Sequence, residues 1–202
     1  MSGKRIFYII FFSVLVLGFF GALAYKVPGF MKPAIPPVGV VEPFALTNQD
    51  GQTVTEKDGL GKVTAVNFFF TTCRSVCPRM NNNLKPVYEQ YRNEPDFQIM
   101  SFTCDPARDS AARLKHYADS MKVDTRKWMF ITGRKDSLYL LARHSYKIDD
   151  PKNYVEHTED DFLHTQFIAL VNRKGEVVNI YDGIKPSEMK EMSKKIKQLL
   201  EE

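Results

Sequence analysis

Hydrophobic and polar positions divide the chain into an uninterrupted apolar run, a proline-rich stretch and a long segment of mixed pattern. The apolar run covers residues 6–25 and contains no charged residue. Twenty helical residues span about 30 Å, the hydrocarbon thickness of a bilayer. We therefore expect a single transmembrane anchor at 6–25, a short terminus at 1–5, a linker at 26–43 and a folded domain at 44–202.

Basic residues precede the apolar run and set its expected orientation. Lys4 and Arg5 favour a cytoplasmic location for residues 1–5, so the folded domain would lie on the extracytoplasmic side, in a bacterial periplasm. A cleaved signal peptide is the alternative, since Ala22-Leu23-Ala24 offers a small-x-small site. Signal-peptide cores usually span about 7–15 apolar residues, so an uncleaved single-pass anchor is favoured. Lipid attachment at a processed N-terminal cysteine is not expected, because no cysteine lies next to the run.

Apolar runs within the domain predict strands that alternate with helices. The predicted strands are 63–70, 97–103, 128–132, 165–172 and 177–181. The predicted helices start at Pro78 and Ser110, span 137–143, and start again at Ser187, which would cap the last helix. An Asn-Gln-Asp-Gly turn at 48–51 predicts a hairpin before the first of these strands. This order predicts an α/β domain with an N-terminal hairpin.

Charge and cysteine content narrow the classes of function. The chain carries 28 basic and 24 acidic residues, a balance that gives no reason to expect a nucleic-acid partner. It has three cysteines, too few for a disulfide framework and an odd number. Cys104 follows a predicted strand and is interpreted as a buried thiol, with a third sulfur near the other two as the functional alternative.

Cys73 and Cys77 lie where the strand 63–70 gives way to a predicted helix. The N-terminus of a helix carries unpaired N–H groups and a partial positive charge, which favour thiolate over thiol. The pair has three intervening residues, whereas thioredoxin-type motifs have two. The spacing permits a disulfide, and it also suits two thiolates that hold one ion. Ordinary packing of two buried cysteines is the third alternative.

The order of elements, with cysteines at the end of the first central strand, matches a thioredoxin-like fold. In thioredoxin-like proteins a Pro-Thr pair before the hairpin strand faces the cysteines. Here His164-Thr165 occupies that place. His157 is the competing histidine, but it lies in an acidic, aperiodic segment. Two thiolates and one imidazole suit copper, as Cu(I) or Cu(II), better than zinc, which favours a closed four-ligand shell.

Three segments together resemble the Sco/SenC family: Thr71-Thr72-Cys73-Arg74-Ser75-Val76-Cys77-Pro78, Asp105-Pro106-Ala107-Arg108-Asp109 and His164-Thr165. The family consists of membrane-anchored, thioredoxin-like proteins involved in copper delivery to cytochrome c oxidase. The resemblance implies that Cys73, Cys77 and His164 bind copper, and that the partner is the copper-receiving subunit of the oxidase. Arg74-Ser75 departs from the Pro-Asp-type pair that is frequent in the family, and Cys104 is a second departure.

Three functions follow as hypotheses. The first is a membrane-anchored copper metallochaperone that uses Cys73, Cys77 and His164. The second is a thiol-disulfide oxidoreductase in which Cys73 and Cys77 reduce the cysteines of the oxidase copper site. A membrane-tethered redox or copper sensor is the third, and no residue favours it. The motif Asp105–Asp109 has a structural interpretation, in which Asp109 caps the next helix and Arg108 pairs with a carboxylate.

Overall fold

A computed structural model describes residues 3–26, 36–149, 163 and 165–202. Helix α1, Gly3–Lys26, contains the predicted apolar run. By length and composition its segment Gly3–Leu23 is a candidate membrane span. Residues 37–202 form a compact unit of their own, and this unit carries the cysteines.

Strands and helices alternate along the described part of this unit. The strands are β1 Gly39–Val40, β2 Ala45–Asn48, β3 Thr53–Thr55, β4 Val63–Phe69, β5 Phe97–Thr103, β6 Trp128–Thr132, β7 Phe167–Val171 and β8 Glu176–Asp182. The α-helices are α2 Val76–Tyr91, α3 Ala111–Met121, α4 Lys135–Leu140 and α5 Pro186–Leu200. A 3-10 turn, Glu56–Gly59, precedes β4, and a π-helical turn, Leu141–Ser145, continues α4.

The strands form one mixed sheet in the order β1-β8-β7-β4-β5-β6-β2-β3. Strand β4 lies inside it, parallel to β5 and antiparallel to β7. Every residue of β4 and β5 is buried, as expected for strands covered on both faces. The predicted hairpin is confirmed as β2 and β3, and the α/β, thioredoxin-like fold class is confirmed.

Alternate residues of β4 point into two separate hydrophobic cores. Ala65 and Phe69 pack under α2, α3 and α5 in the first core. Val66 and Phe68 pack in the second core against the hairpin, α4 and the π-helical turn. The apolar stripe predicted on the last helix is buried in the first core, with Met189, Met192, Ile196 and Leu199. Both cores therefore reach the carboxyl end of β4, where the cysteines follow.

Four of the differences from the sequence-based expectations change the interpretation, beyond shifts of one or two residues at strand ends. Strand β1 falls inside the predicted linker, because Gly39 and Val40 pair with β8 at the edge of the sheet. The last helix begins at Pro186 after Lys185, so Ser187 lies inside it and is not its cap. The short helix predicted at 137–143 begins earlier and turns π-helical. Helix α2 begins at Val76, two residues before Pro78, and this shift changes the site.

Candidate metal-binding and redox site

The turn between β4 and α2 places the first cysteine beside the N-terminus of the helix. The Cys73 amide donates to the Phe70 carbonyl over 3.2 Å, which closes the turn after β4. Because α2 starts at Val76, Cys77 is the second helical residue, and its N–H has no carbonyl partner within the helix. That N–H donates to the sulfur of Cys73 over 3.4 Å. The Cys73 sulfur therefore accepts one of the free N–H groups of the helix end.

Hydrogen bonding favours the thiolate form of Cys73. Partial burial by itself raises the pKa of this thiol, but hydrogen bonds from the Cys77 side chain and from the amides of Cys77, Ser75 and Val76 lower it further than burial raises it. The resulting pKa of Cys73 is below its usual value, as expected for a sulfur at a helix N-terminus. Cys73 is half-buried, so this thiolate can be reached from solvent.

Cys77 has the opposite character. It is 5% exposed and belongs to the first core. Burial, followed by the hydrogen bond with Cys73 and the charge on Cys73, raises the pKa of Cys77 to about 12. Of the two thiols, Cys73 therefore loses its proton more readily, and Cys77 is the one that stays protonated. Both thiols are free.

Cys104 directly follows β5 and is buried, as predicted. Its N–H donates to the carbonyl of Phe69 over 2.7 Å, which fixes the start of its loop against the end of β4. Its side chain is 2% exposed, and burial raises the pKa of its thiol. Cys104 belongs to the second core, so it approaches the site from the face of the sheet opposite to Cys77.

A cavity of about 330 Å³ brings the three cysteines together at the carboxyl ends of β4 and β5. Its lining comprises Phe68, Phe69, Phe70, Thr72, Cys73, Arg74, Ser75, Val76, Cys77, Cys104, Leu163, Thr165 and Gln166. Open α/β sheets bind ligands at this end of their strands. Arg74 is among these lining residues and brings a cation to the cavity.

Histidine is the part of the predicted site that the described residues do not include. His164 and its competitor His157 both lie outside the described ranges. The two neighbours of His164 in the chain, Leu163 and Thr165, line the cavity together with the cysteines. Among the described residues no group of three His, Cys, Asp or Glu side chains is arranged to hold a metal ion. Cys104 therefore does not complete a three-ligand cluster with Cys73 and Cys77.

Asp109 supports the cysteine turn, a role that the sequence did not reveal. Its buried carboxylate accepts hydrogen bonds from the Thr71 N–H (3.0 Å), the Thr71 hydroxyl and the Thr103 hydroxyl (2.6 Å). The predicted helix cap at Asp109 is wrong, because Ser110 caps α3 by accepting the Arg113 N–H. The predicted pairing of Arg108 is confirmed, with Asp105 at 3.3 Å.

Comparison with known proteins identifies similar chains. A family model described as SCO1/SenC matches residues 33–201. A SCO1 protein homolog of Bacillus subtilis is 32% identical over 148 residues, which cover 71% of this chain and 74% of that protein. The chain spans about half the length of the eukaryotic relatives that it matches.

Solved structures of similar proteins share the fold. BsSco, described as a member of the Sco family of cytochrome c oxidase assembly proteins with a disulfide switch, has a TM-score of 0.68 at 28% identity, covering 81% of this chain and 95% of that one. Arabidopsis thaliana ScoI with copper bound has a TM-score of 0.62 at 27% identity, covering 79% of this chain and 99% of that one.

Proposed function

Because this chain belongs to the SCO1/SenC family, we propose that it is a copper metallochaperone that binds one copper ion through Cys73, Cys77 and His164. The observation that carries the proposal is the Cys73–Cys77 pair at the N-terminus of α2, where the Cys77 N–H donates to the Cys73 sulfur and the pKa of Cys73 is lowered. Thiolates suit Cu(I), and an imidazole extends the donor set to Cu(II). The copper is cargo, passed to the copper-receiving subunit of cytochrome c oxidase.

The different environments of the two cysteines determine which proton is released when copper binds. The pKa of Cys73 is lowered, whereas that of Cys77 is raised, so Cys77 carries a proton that must leave when its sulfur binds metal. Copper binding therefore releases the proton of Cys77, and the site gains affinity as pH rises. Cys73 is accessible and Cys77 is buried, so the ion meets Cys73 first. A partner's thiolates could then displace Cys73 before Cys77.

Relatives support the oxidase as the destination. ScoI of Arabidopsis is solved with copper bound, and BsSco is described as belonging to a family of cytochrome c oxidase assembly proteins. The candidate span Gly3–Leu23 would anchor the domain in the membrane that holds the oxidase. Lys4 and Arg5, at the N-terminal end of this span, favour the extracytoplasmic side for the domain.

Copper titration of the reduced, metal-free chain in detergent tests the proposal. The unmodified chain should bind one copper per molecule with a thiolate-to-copper absorption band. Cys73→Ser, Cys77→Ser and His164→Ala should each weaken binding and change the band. His157→Ala is the matched control, because it removes the competing histidine and should leave both readouts unchanged. Tight binding that survives His164→Ala but not His157→Ala would refute the assignment of His164.

A thiol-disulfide oxidoreductase is the second candidate, and the unequal cysteines favour it. The Cys73 thiolate would attack a disulfide of the partner, form a mixed disulfide and release one partner thiolate. Cys77, once deprotonated, would attack the Cys73 sulfur and release the second. The partner gains two electrons, and the chain ends with a Cys73–Cys77 disulfide. His164→Ala should spare this exchange, so reduction of a partner disulfide without stable copper binding would select this function.

A further inference from the structure

One tyrosine hydroxyl connects the two walls of the cavity. Tyr139 belongs to α4 and is buried in the second core. Its hydroxyl donates to the carbonyl of Cys104 over 2.9 Å and accepts the N–H of Leu163 over 3.2 Å. Cys104 and Leu163 both line the cavity. The hydroxyl therefore bridges the strand end beside the cysteine turn and the segment that leads into His164.

The Tyr139 ring is held in place by charged neighbours. The Lys135 ammonium lies 5.3 Å and the Arg143 guanidinium 5.6 Å from the centre of the ring. Arg143 is itself buried and pairs with Asp149 at 2.7 Å. Cation–π contacts of this kind favour one ring position. Arg143 also lies in the π-helical turn after α4, a local irregularity that is frequent at functional sites.

Neighbouring contacts hold the chain on the other side of His164. The Thr165 hydroxyl donates to the Ile148 carbonyl over 2.9 Å and accepts the Phe167 N–H over 3.2 Å. The Gln166 carbonyl accepts the N–H of Gly183 over 2.8 Å. These bonds attach residues 165 and 166 to β8 and to the segment after the π-helical turn. Tyr139 adds a bond to the cysteine side of the cavity.

We propose that Tyr139 is a positioning residue that fixes Leu163, the residue before His164 in the chain, against the strand end that carries the cysteine pair. Cys104 is bonded through its N–H to Phe69, the last residue of the strand that delivers the cysteines. A chain of bonds thus runs from Leu163 through Tyr139 and Cys104 to β4. Metal–ligand distances tolerate deviations of only about 0.2 Å, so the separation between His164 and the cysteine pair matters to a shared ion. The inference rests on the proposed function, since it requires His164 as a ligand.

Tyr139→Phe tests the inference, because it keeps the ring and removes the hydroxyl with its hydrogen bonds to Cys104 and Leu163. Loss of an outer hydrogen-bonding partner typically weakens metal binding by about 10–100-fold. We expect such a loss of copper affinity, measured against a competing chelator, with one copper still bound per chain and with an altered thiolate-to-copper band. Exchange of the Leu163 amide hydrogen should accelerate. The alkylation rate of Cys73 should not change, because that environment is built from residues 75–77.

Tyr88→Phe is the matched control. Tyr88 is equally buried and its hydroxyl also accepts a backbone N–H, that of Asp124 over 2.8 Å, but it lies in the first core away from the cavity. An equal effect of both variants on copper would mean that general destabilisation is responsible, and would overturn the inference. Unchanged copper affinity in Tyr139→Phe, together with faster exchange of the Leu163 amide, would overturn it as well.

A double variant separates the inference from the proposal on which it rests. If Tyr139 acts through residue 164, Tyr139→Phe should add no further loss of affinity to His164→Ala. Additive losses would show that Tyr139 acts on copper by another route and would refute the positioning role. Unchanged copper binding in His164→Ala alone would instead refute the proposed ligand set. The copper affinities of the single and double variants therefore distinguish a wrong positioning role of Tyr139 from a wrong ligand set.

Discussion

The hydrogen bonds of Asp109 give the most direct test of how the cysteine turn is held. Asp109 is 1% exposed, and one carboxylate oxygen, Oδ2, accepts from both Thr71 N–H and the Thr103 hydroxyl. The other, Oδ1, accepts from the Thr71 hydroxyl and lies 3.6 Å from the Arg113 Nε. Asp109→Asn keeps the shape and one acceptor oxygen, but places an NH2 group where the second oxygen was.

The expected loss follows from counting the contacts that asparagine cannot make. With its oxygen in the Oδ2 position, asparagine keeps two acceptor contacts and loses the one from the Thr71 hydroxyl. A hydrogen bond to a charged group contributes about 1.5–3 kcal/mol, and the half-exposed ion pair with Arg113 adds at most about 1 kcal/mol. We therefore expect the free energy of unfolding to fall by about 2–4 kcal/mol. For a chain of this size that lowers Tm by about 4–16 °C.

Fluorescence of the single tryptophan reports this loss. Trp128 is fully buried in β6, so its emission should follow unfolding of the sheet in heat or urea. Asp105→Asn is the matched control, because Asp105 makes its ion pair with an exposed Arg108 and should cost less than about 1 kcal/mol. If Asp109→Asn and Asp105→Asn unfold alike, the buried carboxylate does not stabilise the turn.

Two further predictions concern the cysteines and a buried ion pair. Alkylation at neutral pH, followed by mass spectrometry, should modify Cys73 well before Cys77, and the alkylation rate of Cys73 should have its pH midpoint below the ordinary thiol value of about 8.5. Cys77→Ala should raise that midpoint, since the Cys77 side chain lowers the pKa of Cys73. An unchanged midpoint in Cys77→Ala would show that Cys77 does not lower this pKa. Asp149→Asn removes the carboxylate charge that pairs with buried Arg143 and should lower the free energy of unfolding by about 3–5 kcal/mol. Glu89→Gln removes an exposed ion pair with Arg92 and should lower the free energy of unfolding by less than about 1 kcal/mol in the same urea titration. Similar losses for Asp149→Asn and Glu89→Gln would refute the expected difference between a buried and an exposed pair.

Local patterns in the sequence were sufficient for most of the fold. Strands β5 and β6 have the bounds that their apolar runs predict, and β4 is one residue shorter, because a strand covered on both faces is apolar throughout. Strand β1 was missed, because Gly39-Val40 is short and pairs with β8, far along the chain. The cap of α5 was assigned to Ser187 on residue type alone, whereas the helix extends back to Pro186.

The site was predictable only where its residues are adjacent in the chain. Cys73 and Cys77 follow β4 directly, so the strand end and the turn could be recognised from the sequence. Asp109 meets Thr71 across 38 positions, and Tyr139 meets Cys104 across 35. The sequence around Tyr139 does not indicate which carbonyl its hydroxyl will reach, because that depends on how α4 packs on the sheet. Contacts of this kind require the tertiary structure.

The two-residue shift in the start of α2 accounts for the difference between the two thiols. With Pro78 as the first helical residue, Cys77 would precede the helix, outside its first turn. Because the helix starts at Val76, the Cys77 side chain enters the first core and its N–H reaches back to the Cys73 sulfur. The same shift therefore buries one thiol and stabilises its partner as a thiolate. An accessible thiolate beside a buried thiol suits sequential capture of a metal ion, and it suits attack and resolution of a disulfide equally well, so the effect of His164→Ala on copper binding distinguishes the two functions. The residues before and after position 164 in the chain are attached to the domain, Leu163 through Tyr139 and Thr165 through Ile148.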